Sequence, residues 1–277
     1  MVQIVTDSTA DMSPETAREF GIAVVPQYIH LGDKTYLDGV DLRPDQLFEL
    51  VARTGQLPKT AAAPVEAFRK AFDTGGPVVF ISLSSSLSGL IQSARLAAQE
   101  FPQGQVLIVD SLNASSGIAL LALLAADLRD QGHPPEAIAA RLEERRTQVR
   151  TTFIVETMEY IYKSGRCSAL QAVAGSLLKI HPVIEIRRDG KVGMRDRVRG
   201  SRQKCLKALL DDFVTQLPEL DRSRVFVTHA GCDEDAEFLR SEVIRLANPE
   251  KVYVTLTGSV ISSHCGPGTI GILYMLR

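Results

Sequence analysis

Three short runs of β-branched and apolar residues constrain this chain more than any other feature. They cover 2–6, 78–83 and 106–109, and each ends in small polar residues that are followed by a helix-like pattern. A strand, a polar loop and a helix in repetition are typical of βα units built on a parallel sheet. The first part of the chain, to about residue 150, is therefore predicted to be a Rossmann-like parallel α/β domain.

The pattern changes after residue 150. Asp189-Gly190 is typical of a hairpin turn, here between strands predicted at 183–186 and 191–198. The other predicted elements are helices at 156–163, 169–180 and 201–216, and strands near 225–229, 252–257 and 270–276. We expect two α/β domains, 1–150 and 151–277, the second with a mixed sheet whose last strand can pack back toward the first domain.

Composition and charge exclude several classes of protein. Hydrophobic residues make up 45% and charged residues 23%, which is typical of a folded globular chain. The net charge of −2 gives no broad positive field for a nucleic acid or an anionic lipid surface. The longest apolar run, 118–126, is about half of the roughly 20 residues that span a bilayer, and the N-terminus lacks a basic signal region. We expect a cytoplasmic protein without nucleic acid partners or stable membrane insertion.

Motifs for cofactors and metals are missing or incomplete. The four cysteines, at 167, 205, 232 and 265, form no C-x-x-C pair, which argues against a zinc or redox site. The G-x-G-x-x-G match at 266–271 has only six residues after it, too few for a crossover helix. P-loop, H-E-x-x-H and G-x-S-x-G motifs do not occur. We therefore expect neither a metal nor a cofactor.

A serine-rich loop at 84–89 follows a predicted strand and precedes a predicted helix, at the sheet edge where α/β proteins bind ligands. Ser88 is predicted to be the helix N-cap, and Gly89 would let a ligand approach free backbone N–H groups. Hydroxyls at 8–9, 111 and 115–116 should line the same edge. Without a lysine or arginine, such a site suits a ligand with one small, weakly charged head. A purely structural role in capping and turning stays open.

Several motifs in fixed order resemble the DegV-like bacterial fatty-acid-binding family, over essentially the whole chain. They are TDSTAD at 6–11, Tyr36-x-Asp38-Gly39-Val40-Asp41, Pro58-Lys59-Thr60, the serine loop, Gly165-Arg166, and Gly258-x-Val260-Ile261 leading to His264-x-Gly266-Pro267-Gly268. The resemblance implies a long-chain fatty acid between the two domains, with its carboxylate in the cleft and its acyl chain in an apolar tunnel. Such proteins are not enzymes; they present the acid to a separate ATP-dependent fatty acid kinase.

The resemblance also implies roles for individual residues. Thr60, Ser88 and His264, with Gly89 beside them, correspond to the carboxylate site, and Arg166 and Arg199 to groups near the mouth that couple to the kinase. The chain departs from the family at Ala61-Ala62, where a serine and a glutamine are usual, so it lacks a hydroxyl and an amide beside the head-group site.

Two other functions stay open from the residues alone. Ser88 as nucleophile, His264 as base and Asp7 or Asp110 as orienting acid would make an acyl hydrolase. However, a capping serine is poorly activated, and no nucleophile elbow surrounds Ser88. A narrow polar cleft without an apolar tunnel would instead indicate a sensor of small, non-lipid acids.

Overall fold

The first sheet is parallel and has four strands. The computed structural model describes residues 1–165 and 180–277. The strands, in the order β2-β1-β6-β7, are β1 Gln3–Asp7, β2 Ile22–Val25, β6 Val78–Ser82 and β7 Val106–Asp110. Every neighbouring pair is parallel, so the prediction of a parallel sheet is confirmed. The carboxyl ends of β1, β6 and β7 therefore meet at one edge.

A small antiparallel sheet between β2 and β6 was not predicted. Its order is β4-β3-β5, with β3 Tyr28–Leu31, β4 Lys34–Leu37 and β5 Lys59–Ala61. Strands of three or four residues are too short for their alternation to stand out in a sequence. The helices of this half are α1 Pro14–Glu19, α2 Pro44–Thr54, α3 Val65–Phe72, α4 Leu90–Ala98, α5 Ser116–Asp130 and α6 Pro135–Arg145.

The second sheet is mixed, as predicted, and has six strands, of which five were predicted. The order is β10-β9-β8-β13-β11-β12, and among these the β11–β12 pair is parallel. The strands are β8 Val149–Ile154, β9 Ile180–Ile186, β10 Val192–Arg199, β11 Leu220–His229, β12 Lys251–Leu256 and β13 Ile270–Leu276. The helices are α7 Glu159–Ser164, α8 Arg202–Gln216, α9 Asp233–Ala247 and α10 Ser259–Cys265.

Two details of the second half differ from the prediction. Strand β8 was not predicted: helix α6 ends at Arg145, and a 3-10 turn leads into β8, whose β-branched residues favour a strand. The helix predicted over 169–180 lies outside the described residues except at Ile180, which begins β9.

Helix α5 packs against both sheets. Ten of its fifteen residues are buried, as expected of a helix that is apolar on all sides. Its core cluster joins Ile4 and Val79 of the parallel sheet to Phe226 and Leu273 of the mixed sheet. Among residues 1–165 and 180–277, neither α5 nor any other helix has the length and apolar character to cross a membrane. The two halves share this core, and their division into domains at residue 150 stays a prediction.

Candidate functional site

A cavity of about 400 Å³ is lined by residues from both halves of the chain. This volume falls within the range of about 300–1,000 Å³ that is common for ligand pockets. Apolar side chains on its walls include Leu87, Phe153, Ile161, Ile186, Ile261 and Leu273. The lining residues that the structure describes include no lysine, arginine, aspartate or glutamate. The cavity thus suits a mostly apolar ligand.

All four residues predicted to bind a carboxylate line this one cavity. Thr60 lies on β5, Ser88 and Gly89 precede α4, and His264 lies in the last turn of α10. Thr60 Oγ1 and His264 Nε2 form a hydrogen bond of 2.8 Å between residues 204 positions apart. The fold brings the four residues together, and their role as carboxylate ligands stays a prediction.

The hydroxyl of Ser88 is available to a ligand. Its oxygen accepts the N–H of Leu90 at 3.2 Å, and its proton has no acceptor among the described residues. By contrast, Thr151 donates to Asn113 Oδ1 at 2.7 Å and Thr269 donates to the Cys265 carbonyl at 2.9 Å. Because such wall hydroxyls are already paired within the protein, the wall behaves as more apolar than its composition indicates.

The Thr60–His264 bond can also release a donor. When Nε2 of His264 carries its ring proton, it donates to Thr60 Oγ1, and the Thr60 O–H is then free to donate elsewhere. Both side chains are half-buried at the cavity. Thr60 and Ser88 can therefore each offer an O–H to a carboxylate oxygen.

The serine loop has a second role that was not predicted. Ser84 Oγ donates to the Gly190 carbonyl at 2.9 Å, and Ser86 Oγ donates to the Asp189 carbonyl at 2.8 Å. These bonds hold the β9–β10 turn against the carboxyl edge of the parallel sheet. The N-cap of α4 is Gly89 rather than Ser88, because the Ser88 hydroxyl turns onto the N–H two residues ahead instead.

The other predicted polar residues of this edge either line the cavity or form hydrogen bonds within the protein. Thr9 and Ser115 line the cavity, while the hydroxyls of Ser8 and Ser111 bond to Asp38 and to the Asn113 carbonyl. Ser116 lies behind the wall in a triangle of buried hydroxyls with Thr228 and Thr255.

The hydrolase arrangement is not assembled among the described residues. The Asp7 carboxylate accepts from the Thr9 hydroxyl and N–H and from the Leu83 N–H. Asp110 Oδ1 accepts from the N–H groups of Ser85 and Leu112. Both candidate orienting acids are thus bound to neighbouring loops, and burial raises the pKa of Asp7.

Two buried carboxylates that the sequence analysis did not assign hold helix α10. Asp11 Oδ1 accepts the Gly258 N–H at 2.7 Å, and Asp38 Oδ1 accepts the Ser259 and Val260 N–H groups at 2.7 and 3.3 Å. Burial raises the pKa of Asp38 to about 6 and the pKa of Asp11 well above its usual range. Asp11 belongs to the TDSTAD motif at 6–11 and Asp38 to the motif at 36–41, and membership of these motifs could have identified both residues.

The structure describes one of the two arginines predicted to couple to a kinase. Arg199 is exposed at the last position of β10, and no ion pair of Arg199 occurs within the described part of the chain. Arg166 lies outside the described residues. Within 1–165 and 180–277, no group of histidine, cysteine, aspartate or glutamate side chains could hold a metal ion.

The fold and the cavity define an α/β protein with a parallel and a mixed sheet and an internal, mostly apolar pocket. A family model described as the uncharacterised DegV family matches residues 1–277, and the chain belongs to this family. A DegV domain-containing protein of Deinococcus radiodurans is 34% identical over 98% of this chain and 97% of its own length.

Solved structures agree with this assignment. A DegV family protein from Thermus thermophilus, described by its fatty acid binding, superimposes with a TM-score of 0.93 at 33% identity, over 100% of this chain and 99% of that one. The fatty acid kinase B3 protein of Streptococcus pneumoniae, loaded with linoleic acid, has a TM-score of 0.87 at 22% identity over 100% of both chains. At that identity the likeness is one of fold.

Proposed function

We propose that this protein binds a long-chain fatty acid in the cavity, with the carboxylate at Thr60, Ser88, Gly89 and His264. The observation that carries the proposal is a cavity of about 400 Å³ with apolar walls, an uncharged lining among the described residues, and hydroxyl donors. A polyphosphate or a multiply charged acid would need lysine, arginine or a metal. A single carboxylate can be satisfied by neutral donors.

The energetics favour a long acyl chain over a small acid. Each buried CH₂ contributes about 0.8 kcal/mol to binding, so the chain supplies most of the affinity. The donors at Thr60 and Ser88 mainly offset the desolvation of the carboxylate and fix its orientation. A small acid would leave the apolar walls without contacts, which argues against the sensor of non-lipid acids.

Lipid analysis and calorimetry test this proposal. Mass spectrometry of lipid extracted from the denatured protein is expected to find a long-chain fatty acid at about one per chain. The delipidated protein should bind palmitic acid, bind hexadecanol more weakly, and bind butyric acid undetectably. Binding of butyric acid with no binding of palmitic acid would establish the small-acid sensor instead.

We further propose that the protein presents the acid to an ATP-dependent fatty acid kinase and is not itself an enzyme. In the reaction, a carboxylate oxygen attacks the γ-phosphorus of ATP, and the products are an acyl phosphate and ADP. The shared fold with the Streptococcus pneumoniae fatty acid kinase B3 protein supports this role. Arg199 and Arg166 would assist kinase docking or phosphoryl transfer, since a guanidinium binds phosphate in a bidentate fashion.

Arg199→Ala tests the kinase role. We expect unchanged fatty acid affinity and acyl-phosphate formation with the cognate kinase reduced at least about 10-fold. Arg188→Ala, which removes another exposed arginine from the β9–β10 hairpin, is the matched control. Normal coupling in the Arg199 variant would remove that residue from the proposal.

Ester hydrolysis tests the alternative of an acyl hydrolase. If the protein steadily hydrolysed p-nitrophenyl esters, and Ser88→Ala abolished this activity, the hydrolase would be favoured.

A further inference from the structure

Helix α10 connects a buried acid pair to the proposed head-group site. Its first turn is fixed by bonds from the N–H groups of residues 258–260 to Asp11 and Asp38, which come from the N-terminal half of the chain. Its last turn carries His264, whose Nε2 bonds to Thr60. The helix has only seven residues, so its two ends are separated by less than two turns.

The acid pair also contacts other parts of the cavity wall. Ser115, which lines the cavity, donates through its hydroxyl to Asp11 Oδ2. The Ser8 hydroxyl donates to Asp38 Oδ2 at 2.7 Å and accepts the N–H of Gln27, another lining residue. The two carboxylates thus join α10 to the start of α5 and to the segment before β3.

A helix as short as α10 depends on such contacts. Isolated helices shorter than about 12 residues are marginal in water, so the position of α10 is set by its partners. Asp11 and Asp38 are 4% and 3% exposed. Neither lines the cavity. Contact between these carboxylates and a ligand is therefore indirect, through the helix and the wall residues that they hold.

We propose that Asp38 and Asp11 are positioning residues for the head-group site: by fixing the first turn of α10 they set the His264–Thr60 geometry and thereby the affinity for a carboxylate. This inference rests on the proposed fatty acid binding. A shift of about 1 Å at a binding group can change function by orders of magnitude, although the group that causes it does not touch the ligand.

Paired substitutions at Asp38 test the inference. Asp38→Ala removes the acceptor for two N–H groups, and we expect palmitic acid affinity to fall about 10-fold. Asp38→Asn keeps one carbonyl oxygen for the same N–H groups and should stay within about 3-fold of wild type. Asp127→Ala, which breaks the distant ion pair with Arg224, is the control for general destabilisation and should leave affinity unchanged.

A second measurement separates this inference from the proposed function. The ¹⁵N chemical shifts of the His264 ring in the ligand-free protein report the Thr60 bond, and Asp38→Ala should change them while Asp127→Ala should not. Wild-type protein that binds no palmitic acid would refute the fatty acid function, whereas the ring signals still test the positioning.

The inference is wrong if Asp38→Ala lowers thermal stability but leaves both affinity and the ring signals unchanged. Where this variant does not fold, Asp38→Ser and Asp11→Ala replace it, and the same two measurements decide. Asp11→Ala removes the acceptor of the Gly258 N–H and is expected to act in the same direction.

Discussion

Ser88 differs from the other serines of its loop in what its hydroxyl does. Ser84 and Ser86 donate to carbonyls of the β9–β10 turn, whereas the Ser88 proton has no acceptor among the described residues. A hydroxyl with a free proton at the cavity is the simplest donor for an incoming carboxylate. Ser88 therefore differs from Ser84 and Ser86 because its hydroxyl can still donate a hydrogen bond.

Ser88→Ala should weaken fatty acid binding by about 1–3 kcal/mol, which is the range for leaving a buried charged acceptor short of a donor. Ser85→Ala is the matched control, because the Ser85 side chain is exposed and does not line the cavity. Isothermal calorimetry with palmitic acid measures both. Equal affinities in the two variants would place the head group elsewhere.

The sequence predicted Thr60 and His264 only through the resemblance to a family, whereas Ser88 and Gly89 were also indicated by their loop at the sheet edge. Thr60 and His264 are 204 positions apart, and no local pattern indicates that they meet. Asp11 and Asp38 escaped assignment because a buried carboxylate that caps a distant helix looks the same in a sequence as an exposed one. The local sequence did indicate the polar ends of β1, β6 and β7, and these ends meet at one edge of the sheet.

At the scale of elements, the contact between the β9–β10 turn and the serine loop requires a glycine at position 190, because little space surrounds it. Gly190 has a φ of +77°, and a Cβ there would lie 2.2 Å from Ser84 Oγ and 3.2 Å from the Leu112 Cα. The serine loop and this hairpin can therefore approach this closely only if position 190 has no side chain.

Gly190→Ala should destabilise the protein by about 1–3 kcal/mol more than Gly104→Ala, in line with other overpacked sites. Gly104 has a similar φ of +83° with no atom within 4 Å of a Cβ, so it carries the backbone strain without the clash. Urea unfolding of the two variants gives the difference. Equal losses of unfolding free energy in the two variants would show that the serine loop and the hairpin can move apart at little cost.

The attachment of α10 should make stability depend on pH. The pKa of Asp38 rises from its ordinary 3.8 to about 6 because the carboxyl is buried, with Asp7 adding repulsion; the raised pKa of Asp11 acts in the same direction. The folded state then holds a proton that the unfolded state has lost, so stability falls as pH rises from about 4 to above 6.

For Asp38 this loss is on the order of 3 kcal/mol. Asp38→Asn removes the titrating group, so its stability should fall less than that of the wild type over the same range. Chemical unfolding at pH 4, 5, 6 and 7 checks this. Parallel curves for the two proteins would mean that Asp38 does not keep its proton in the folded state.

At the scale of the whole molecule, the prediction of two sheets was confirmed because long buried strands leave clear apolar runs. The small β4-β3-β5 sheet was missed because its strands have three or four residues. The packing of α5 against both sheets could not be predicted, since the sequence of an apolar helix does not reveal which sheets cover it.

A fragment of residues 149–277 is therefore expected not to fold cooperatively on its own. Without α5 it would expose Ile186, Phe226, Leu273 and Met275, which belong to the shared core. The intact chain should unfold in a single calorimetric transition. A fragment with dispersed amide signals and a sharp melting transition would instead support two independent domains.

The position of α5 between the sheets also limits how quickly a bound molecule can leave. Separating the two halves about a hinge would expose several apolar side chains of α5 at roughly 1.5–3 kcal/mol each. Exposing four of them would cost at least about 6 kcal/mol, so such an open state would be present in fewer than about one molecule in 10⁴. We therefore expect ligand to exchange through local movement of a wall element, so the residence time should respond to changes at that element rather than to the stability of the whole fold.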